Sequence, residues 1–159
     1  MFPVVDGRSD TRRCGVERTE EWVESNALRC EPAPAAWLGL LVLNALHDAG
    51  FEIVTTETSK SPDPLQLRIK LERFFADQVG GGRLHSDFQM DVHYTVHAST
   101  ASGLSARRSF FYSGRDHHLF TTDESHKALA KPAQEDVAKS IVLAVVELLR
   151  RYESIGVVR

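Results

Sequence analysis

The seven histidines of this chain are the side chains best suited to bind a metal ion or to transfer a proton near neutral pH. Three of them, His85, His93 and His97, fall on one face of a predicted strand. His93 and His97 are four residues apart, which separates them by ~13 Å along a strand. One zinc ion cannot bind both, because zinc–nitrogen bonds are ~2.1 Å long. A polar loop predicted around His117 and His118 is the better metal candidate, since a loop can bring ligands together.

Carboxylates and cysteines add little support for catalysis. Asp87 and Asp91 share the solvent-facing side of one predicted strand, too far apart to act as a pair. Cys14 or Cys30 could serve as a nucleophile, but no histidine lies near either in sequence. The chain has no glycine-rich phosphate loop, GxSxG elbow or HExxH motif. We therefore expect a protein without catalytic residues or cofactor. The alternative is a small metal- or thiol-dependent enzyme that uses the loop around His117 and His118.

Length, charge and hydropathy limit the class of protein. The chain has 159 residues and a formal net charge of −3 at pH 7. That length suits one domain with one core, covering residues 1–159. The net negative charge argues against nucleic-acid binding, which needs a basic face. The most apolar window, residues 141–149, is far shorter than the ~20 residues of a membrane-spanning helix.

Alternation of apolar and polar residues predicts three consecutive strands. Residues 65–72 alternate strictly, and the pattern breaks at residues 73–75, which indicates a bulge or a twist. Three glycines at 80–82 connect this strand to a second alternating one at 84–97. A turn leads to a third strand at 106–114. Short connections between successive strands favour an antiparallel meander with one apolar and one solvated face.

Two helices are predicted to cover the apolar face of this meander. The first covers residues 35–50 and ends at Gly50, which suits the left-handed position after a helix. A short strand at 51–54 follows it. The second helix begins with Pro132 in its first turn and ends near Tyr152. The expected fold class is α+β, a two-layer sandwich with a mainly antiparallel sheet and helices on one side only.

The N-terminal segment is predicted to add further strands, and it contains both cysteines. Strands at 14–19 and 27–31 would form a hairpin that brings Cys14 near Cys30. Paired residues have Cβ atoms ~4.5–5.5 Å apart, a distance that a disulfide can bridge after a small adjustment. Two buried free thiols are the alternative, and the residues alone leave both possibilities open.

In the order and spacing of its motifs, the sequence resembles the YajG-like family of bacterial envelope lipoproteins. More loosely, it resembles the auxiliary lipoproteins of lipid transport systems. Residues 4–10 read VVDGRSD, similar to the family's V-x-D-x-R-x-D opening. Residues 43–53, LNALHDAGFEI, match the end of the first helix. Residues 67–75, the strand after the glycines and the final helix from Glu135 complete the likeness, which covers nearly the whole chain.

The resemblance implies a location as well as a fold. Members have a signal peptide, a lipidated cysteine and attachment to a membrane on its periplasmic side, here expected to be the outer membrane. This chain shows no leader and no lipobox, and Cys14 and Cys30 lie within the predicted fold, so neither is the anchor. We expect a targeting and anchor segment ahead of this chain, with Met1 as an added start. An oxidising compartment favours the Cys14–Cys30 disulfide.

The resemblance carries no shared activity, so function is expected to lie in binding. The expected partner is an envelope protein, or a lipid or glycan, and no nucleic acid; the membrane is reached only through the lipid anchor. Candidate binding residues are the N-terminal turn and the solvated sheet face: Arg8, Arg12, Arg68, Lys70, His85, Gln89, His93 and His97. A further alternative is a self-assembling structural domain, a homodimer formed through Phe111 and an exposed edge strand.

Overall fold

A sheet of six strands with two helices makes up the structure, a computed structural model. It describes residues 4–18, 21, 23–52, 64–81, 86–103, 105–118 and 123–154. The strands are β1 (Val4–Asp6), β2 (Arg13–Arg18), β3 (Glu24–Arg29), β4 (Gln66–Gly81), β5 (Ser86–Ser99) and β6 (Ser105–His118). The helices are α1 (Pro34–Asp48) and α2 (Asp123–Ser154). The predicted α+β class is confirmed, and the sheet is not closed.

Strands β4, β5 and β6 form the predicted antiparallel meander. Its inward side chains on β5 are almost fully buried, and they alternate as the sequence pattern indicated: Phe88, Met90, Val92, Tyr94, Val96 and Ala98. Each large apolar side chain buried in this way contributes about 2 kcal/mol. The register shifts between Leu71 and Arg73, which confirms a bulge at the break in alternation on β4.

The N-terminal strands line the free edge of β4 one after the other. β1 pairs in parallel with residues 69–71, and β2 pairs in parallel with residues 76–77. Gly15 lies where β2 meets β4, and a Cβ there would overlap the carbonyl oxygen of Ala76. Only glycine therefore permits this close approach of the two backbones. The sheet order is β3-β2-β4-β5-β6, with β1 beside β4.

The predicted hairpin of β2 and β3 is present, and a disulfide joins β2 to the residue that follows β3. Cys14 and Cys30 are bonded, with Cα atoms 5.8 Å apart. Cys14 is buried in the core. Closing a loop of this size stabilises a fold by about 3 kcal/mol, mainly by restricting the unfolded chain.

Both helices pack on the inner side of the sheet and against each other. On α1 the buried residues Leu38, Val42 and Leu46 repeat every four positions and form one stripe. The helix ends as predicted: Gly50 has φ +85°. The amides of Gly50 and Phe51 donate to the carbonyl oxygens of His47 and Leu46, a Schellman motif. Among the described residues, no helix is both long and apolar enough to cross a bilayer.

Four local predictions differ from the structure. Gly80 and Gly81, predicted to connect two strands, are the last residues of β4 and pair with β5. Phe51 and Glu52 belong to no strand, and the other two residues of that predicted strand lie outside the described ranges. β6 continues through His118, so the loop predicted around His117 and His118 is wrong. Pro132 lies inside α2 rather than in its first turn. The helix includes residues 123–131 ahead of this proline, among which alanine, lysine and leucine have high helix propensity.

Candidate functional site

The outer face of the sheet is the side opposite the helices, and its polar side chains form two contrasting groups. Cross-strand register places the side chains in rows that cross β4, β5 and β6. At one end the charged groups pair with one another. At the other end cations stand together without a described counter-ion.

The paired cluster is centred on two aspartates of β5. The carboxylate of Asp91 accepts hydrogen bonds from Gln89 at 3.0 Å and Ser113 at 2.8 Å, and pairs with Arg73 at 3.0 Å. Sequence alternation placed Asp91 in water, but these neighbours lie over it and leave it only 7% exposed. Asp91 is thus a structural anion whose hydrogen-bonding capacity is largely used by the protein itself.

Asp87 organises the far end of the same cluster. Its two carboxylate oxygens contact Nδ1 of His117 at 2.5 Å and a guanidinium nitrogen of Arg115 at 2.8 Å. The hydrogen bond with His117, and next that with Arg115, hold the pKa of Asp87 below its ordinary value. The ring of His117 is therefore held on the sheet by its contact with Asp87.

The cationic row consists of Arg68 on β4, His97 on β5 and Arg107 on β6. These residues lie directly opposite one another across the three strands. Arg68 and Arg107 are exposed, His97 is half-buried, and none of them has an ion pair or hydrogen bond from its side chain to a described residue. Lys70, one step along the same face, reaches only Glu72 at 3.7 Å and remains 55% exposed.

Arg8, a predicted binding residue, instead braces the sheet edge between β1 and β2. Its guanidinium pairs with both oxygens of Asp6, and donates to the backbone oxygens of Thr11 and Arg13, each at 2.6 Å, and of Phe74 at 3.4 Å. These contacts use all five N–H donors of an arginine. The contact with Phe74 falls where the edge of β4 lies between its pairings with β1 and β2.

The turn after Arg8 leaves Arg12 exposed. Asp10 accepts the backbone amides of Arg12 and Arg13, each at 3.1 Å. These amide hydrogen bonds lower the pKa of Asp10. The turn is therefore held by local hydrogen bonds, and the Arg12 side chain is its exposed cation.

The edge of the sheet at β6 offers a different kind of surface. Phe111 is 62% exposed and contacts the ring of His93 edge-on, with ring centroids 6.3 Å apart. A shallow groove of about 490 Å³ runs between β6 and α2, lined by Tyr112, Glu135, Asp136 and Lys139 among others. Burial, with the nearby charge of Asp136, raises the pKa of the Tyr112 hydroxyl.

The predicted site residues thus separate into three groups. Arg68, Lys70, His93 and His97 share the outer face as expected. Gln89 lies on that face too, but its side-chain amide donates a hydrogen bond to Asp91. His85 lies outside the described residues. Within the ranges that the structure describes, no three potential ligand side chains come together in a way that could hold a metal.

Arg107 completes the cationic row but was not among the predicted binding residues. Alternation already placed it on the outer face, beside Ser109 and Phe111. Alternation gives the face of a residue but not its cross-strand partner. The register of the β5–β6 hairpin is what places Arg107 opposite His97.

These features define a two-layer α+β domain whose described helices cover one face of the sheet, and its likeness to solved structures agrees. Protein XCC0632 from Xanthomonas campestris, of family DUF330, is 17% identical with a TM-score of 0.60; the match covers 96% of this chain and 84% of that one. A second crystal structure, of an uncharacterised protein, is 16% identical with a TM-score of 0.56 and covers 89% and 87%. At these identities the likeness shows the fold alone, which is consistent with the fold of the YajG-like resemblance. No protein-family profile matches the chain, and no curated protein matches it.

Proposed function

We propose that this domain is a non-enzymatic accessory domain of the bacterial cell envelope. It is tethered to a membrane on the periplasmic side, and it binds a protein, lipid or glycan through the outer face of its sheet. The observation that carries the proposal is the outer face, which no described helix covers and where the cationic row has no described partner while neighbouring charges are paired. Exposed cations without described partners are available to a ligand, whereas those of the paired cluster are not.

The chemistry of the cysteines supports the location. Cys14 and Cys30 are joined, so the described residues contain no free thiol. Disulfides persist in oxidising compartments such as the periplasm and are rare in the cytosol. The fold shared with a DUF330 protein is compatible with an accessory domain of this kind.

The docking surface can be tested by site-specific photo-crosslinking in the native host. A photoreactive residue in place of His97 or Arg107 should yield one discrete adduct, whereas the same residue in place of Asp48, exposed on α1, should not. Equal yields from all three positions, or no adduct from the outer face, would remove this face as the docking surface.

Self-assembly remains a second candidate, favoured by Phe111 and by the position of β6 at the sheet edge. Sedimentation equilibrium over a wide concentration range would detect it. Self-association should be lost in Phe111→Ser but retained in Leu143→Ser, which removes an equally exposed apolar residue, 66% exposed, from α2. A concentration-independent monomer mass for the unmodified chain would exclude this candidate.

A further inference from the structure

The end of the meander that holds the cationic row contains basic side chains and no acidic ones. Residues 66–70 of β4, 95–99 of β5 and 105–109 of β6 contain no aspartate or glutamate. They contain four arginines or lysines and one histidine, in a chain whose net charge is −3. Of these, Arg108 points to the inner side and pairs with Glu147 of α2 at 2.7 Å. The remaining cations all belong to the outer face.

Arg68 and Arg107 lie on either side of His97 in one row, and the side chain of none of the three contacts a described carboxylate. Two guanidinium groups on neighbouring parts of one face repel each other when no anion lies between them. Two other arginines of the meander have an anion from the chain on this face: Asp91 for Arg73 and Asp87 for Arg115. An anion from outside the chain would neutralise the cationic row in the same way.

The geometry of the row suits a small tetrahedral anion. Neighbouring strands are ~4.8 Å apart, so the backbones at Arg68 and Arg107 are separated by ~10 Å, with His97 between them. Two arginine side chains can converge over that distance, and the planar guanidinium matches the oxygen pairs of phosphate. Ser99 and Ser105, opposite each other in the next row, add hydroxyl donors on the same side of the sheet.

We infer that the cationic row, with Lys70 beside it, is a binding site for a phosphate group, either free or as part of a lipid headgroup. This inference rests on the proposed function only for the use of the outer face. The site would bind phosphate in any compartment. Arg68 and Arg107 donate hydrogen bonds to the phosphate oxygens from either side. His97 and the serine hydroxyls donate to the phosphate from the sheet below it.

The test is an NMR titration of the purified chain with inorganic phosphate, against chloride at the same ionic strength. Saturable shifts of the amides of Arg68, His97 and Arg107 are expected at millimolar phosphate. The double variant Arg68→Gln/Arg107→Gln should weaken binding by about tenfold or more, since it removes two charge-assisted donors. The control Arg29→Gln/Arg150→Gln removes the same charge from exposed positions elsewhere and should bind as the unmodified chain does.

Two arms then distinguish the sources of the phosphate. Binding of glycerol 3-phosphate without binding to vesicles identifies a soluble phosphate compound. Binding to phosphatidylcholine vesicles only when they contain phosphatidylglycerol, and its loss in the Arg68→Gln/Arg107→Gln variant, identifies a lipid headgroup. Shifts that do not saturate, or equal weakening in the control variant, would overturn the site. Crosslinking from the outer face in the host would still report separately on the docking proposal.

Discussion

The β1–β2 edge and the cationic row both have arginines near the surface, but these arginines differ in whether their side chains bond to the rest of the chain. At the edge, Arg8 has every donor bonded within the chain, and its side chain and that of Asp6 are each only 10% exposed. In the row, Arg68 and Arg107 are exposed without described partners. The paired cluster around Asp87 and Asp91 lies between these extremes. Hydrogen-bond and ion-pair partners within the chain, rather than residue type, therefore distinguish a structural arginine from one that is available to a ligand.

The largest effect is expected at the edge, from Arg8→Gln. The change removes the guanidinium that pairs with the nearly buried carboxylate of Asp6, together with the hydrogen bonds that span the gap between β1 and β2. We expect a loss of about 3 kcal/mol in the free energy of unfolding, measured by urea denaturation. Arg12→Gln, in the same turn but exposed, should stay within about 0.5 kcal/mol of the unmodified chain. Equal stability of the two variants would contradict the bracing role.

A similar loss is expected when the disulfide is removed from the same edge. The double variant Cys14→Ser/Cys30→Ser frees a loop with a sequence separation of 16 residues. It should lose about 3 kcal/mol of unfolding free energy. Reduction of the unmodified chain should produce the same loss. A reductant that leaves its stability unchanged would show that the bond is absent or contributes nothing.

The paired cluster should respond more weakly. Asp91→Ala removes a buried carboxylate together with its three interactions. The former partners, Arg73, Gln89 and Ser113, can then turn towards water. We expect a cost of about 2 kcal/mol, measured by thermal or urea unfolding. Glu52→Ala, which removes an exposed carboxylate, is the matched control. No difference between the two variants would mean that the cluster is only a solvated surface.

Acid titration should reveal the role of Asp87. Its pKa is lowered in the folded state, so the unfolded chain binds a proton more readily. The stability that this carboxylate contributes is present above its ordinary pKa of 3.8, and is lost as the pH falls through the lowered folded value. Asp87→Asn should therefore lose less stability between about pH 5 and pH 2 than the unmodified chain does. If the variant and the unmodified chain lose the same stability over this pH range, the contacts of Asp87 with His117 and Arg115 contribute nothing to folding.

The smallest effect on stability belongs to the cationic row. Arg68→Gln or Arg107→Gln relieves repulsion between the two arginines of the row and should raise the free energy of unfolding by about 0.3 kcal/mol in phosphate-free buffer. The sign is the informative result, because the same change at Arg8 is costly. A loss above about 1 kcal/mol would mean that these arginines have structural partners after all.

Much of the fold could be predicted because its signals are local. Alternation along β4 and β5 gave the strands, their inward residues and the bulge, and Gly50 gave the end of α1. The start of α2 could not be predicted, because an interior Pro132 imitates a first-turn proline. The parallel pairing of β1 and β2 with β4 was also missed, since it depends on contacts about 60 residues apart along the chain.

The candidate site was predictable only in part. Alternation assigned Arg68 and His97 to the solvated face, but it could not show that Arg107 stands opposite them. It also treated Arg8 as available, whereas that side chain is bonded to backbone oxygens on β2 and β4 that only the fold brings near. Burial of Asp91 likewise depends on side chains from three different strands.

The most direct test of the proposed function is the intact mass of the full-length product, isolated from membranes of its native host, with and without reduction. We predict a processed, acylated protein whose mass rises by two hydrogen atoms on reduction, as an envelope lipoprotein with a Cys14–Cys30 bond requires. An unprocessed, unacylated and fully reduced mass would contradict it. The thiols would then need a new explanation, and the outer face would need a different partner.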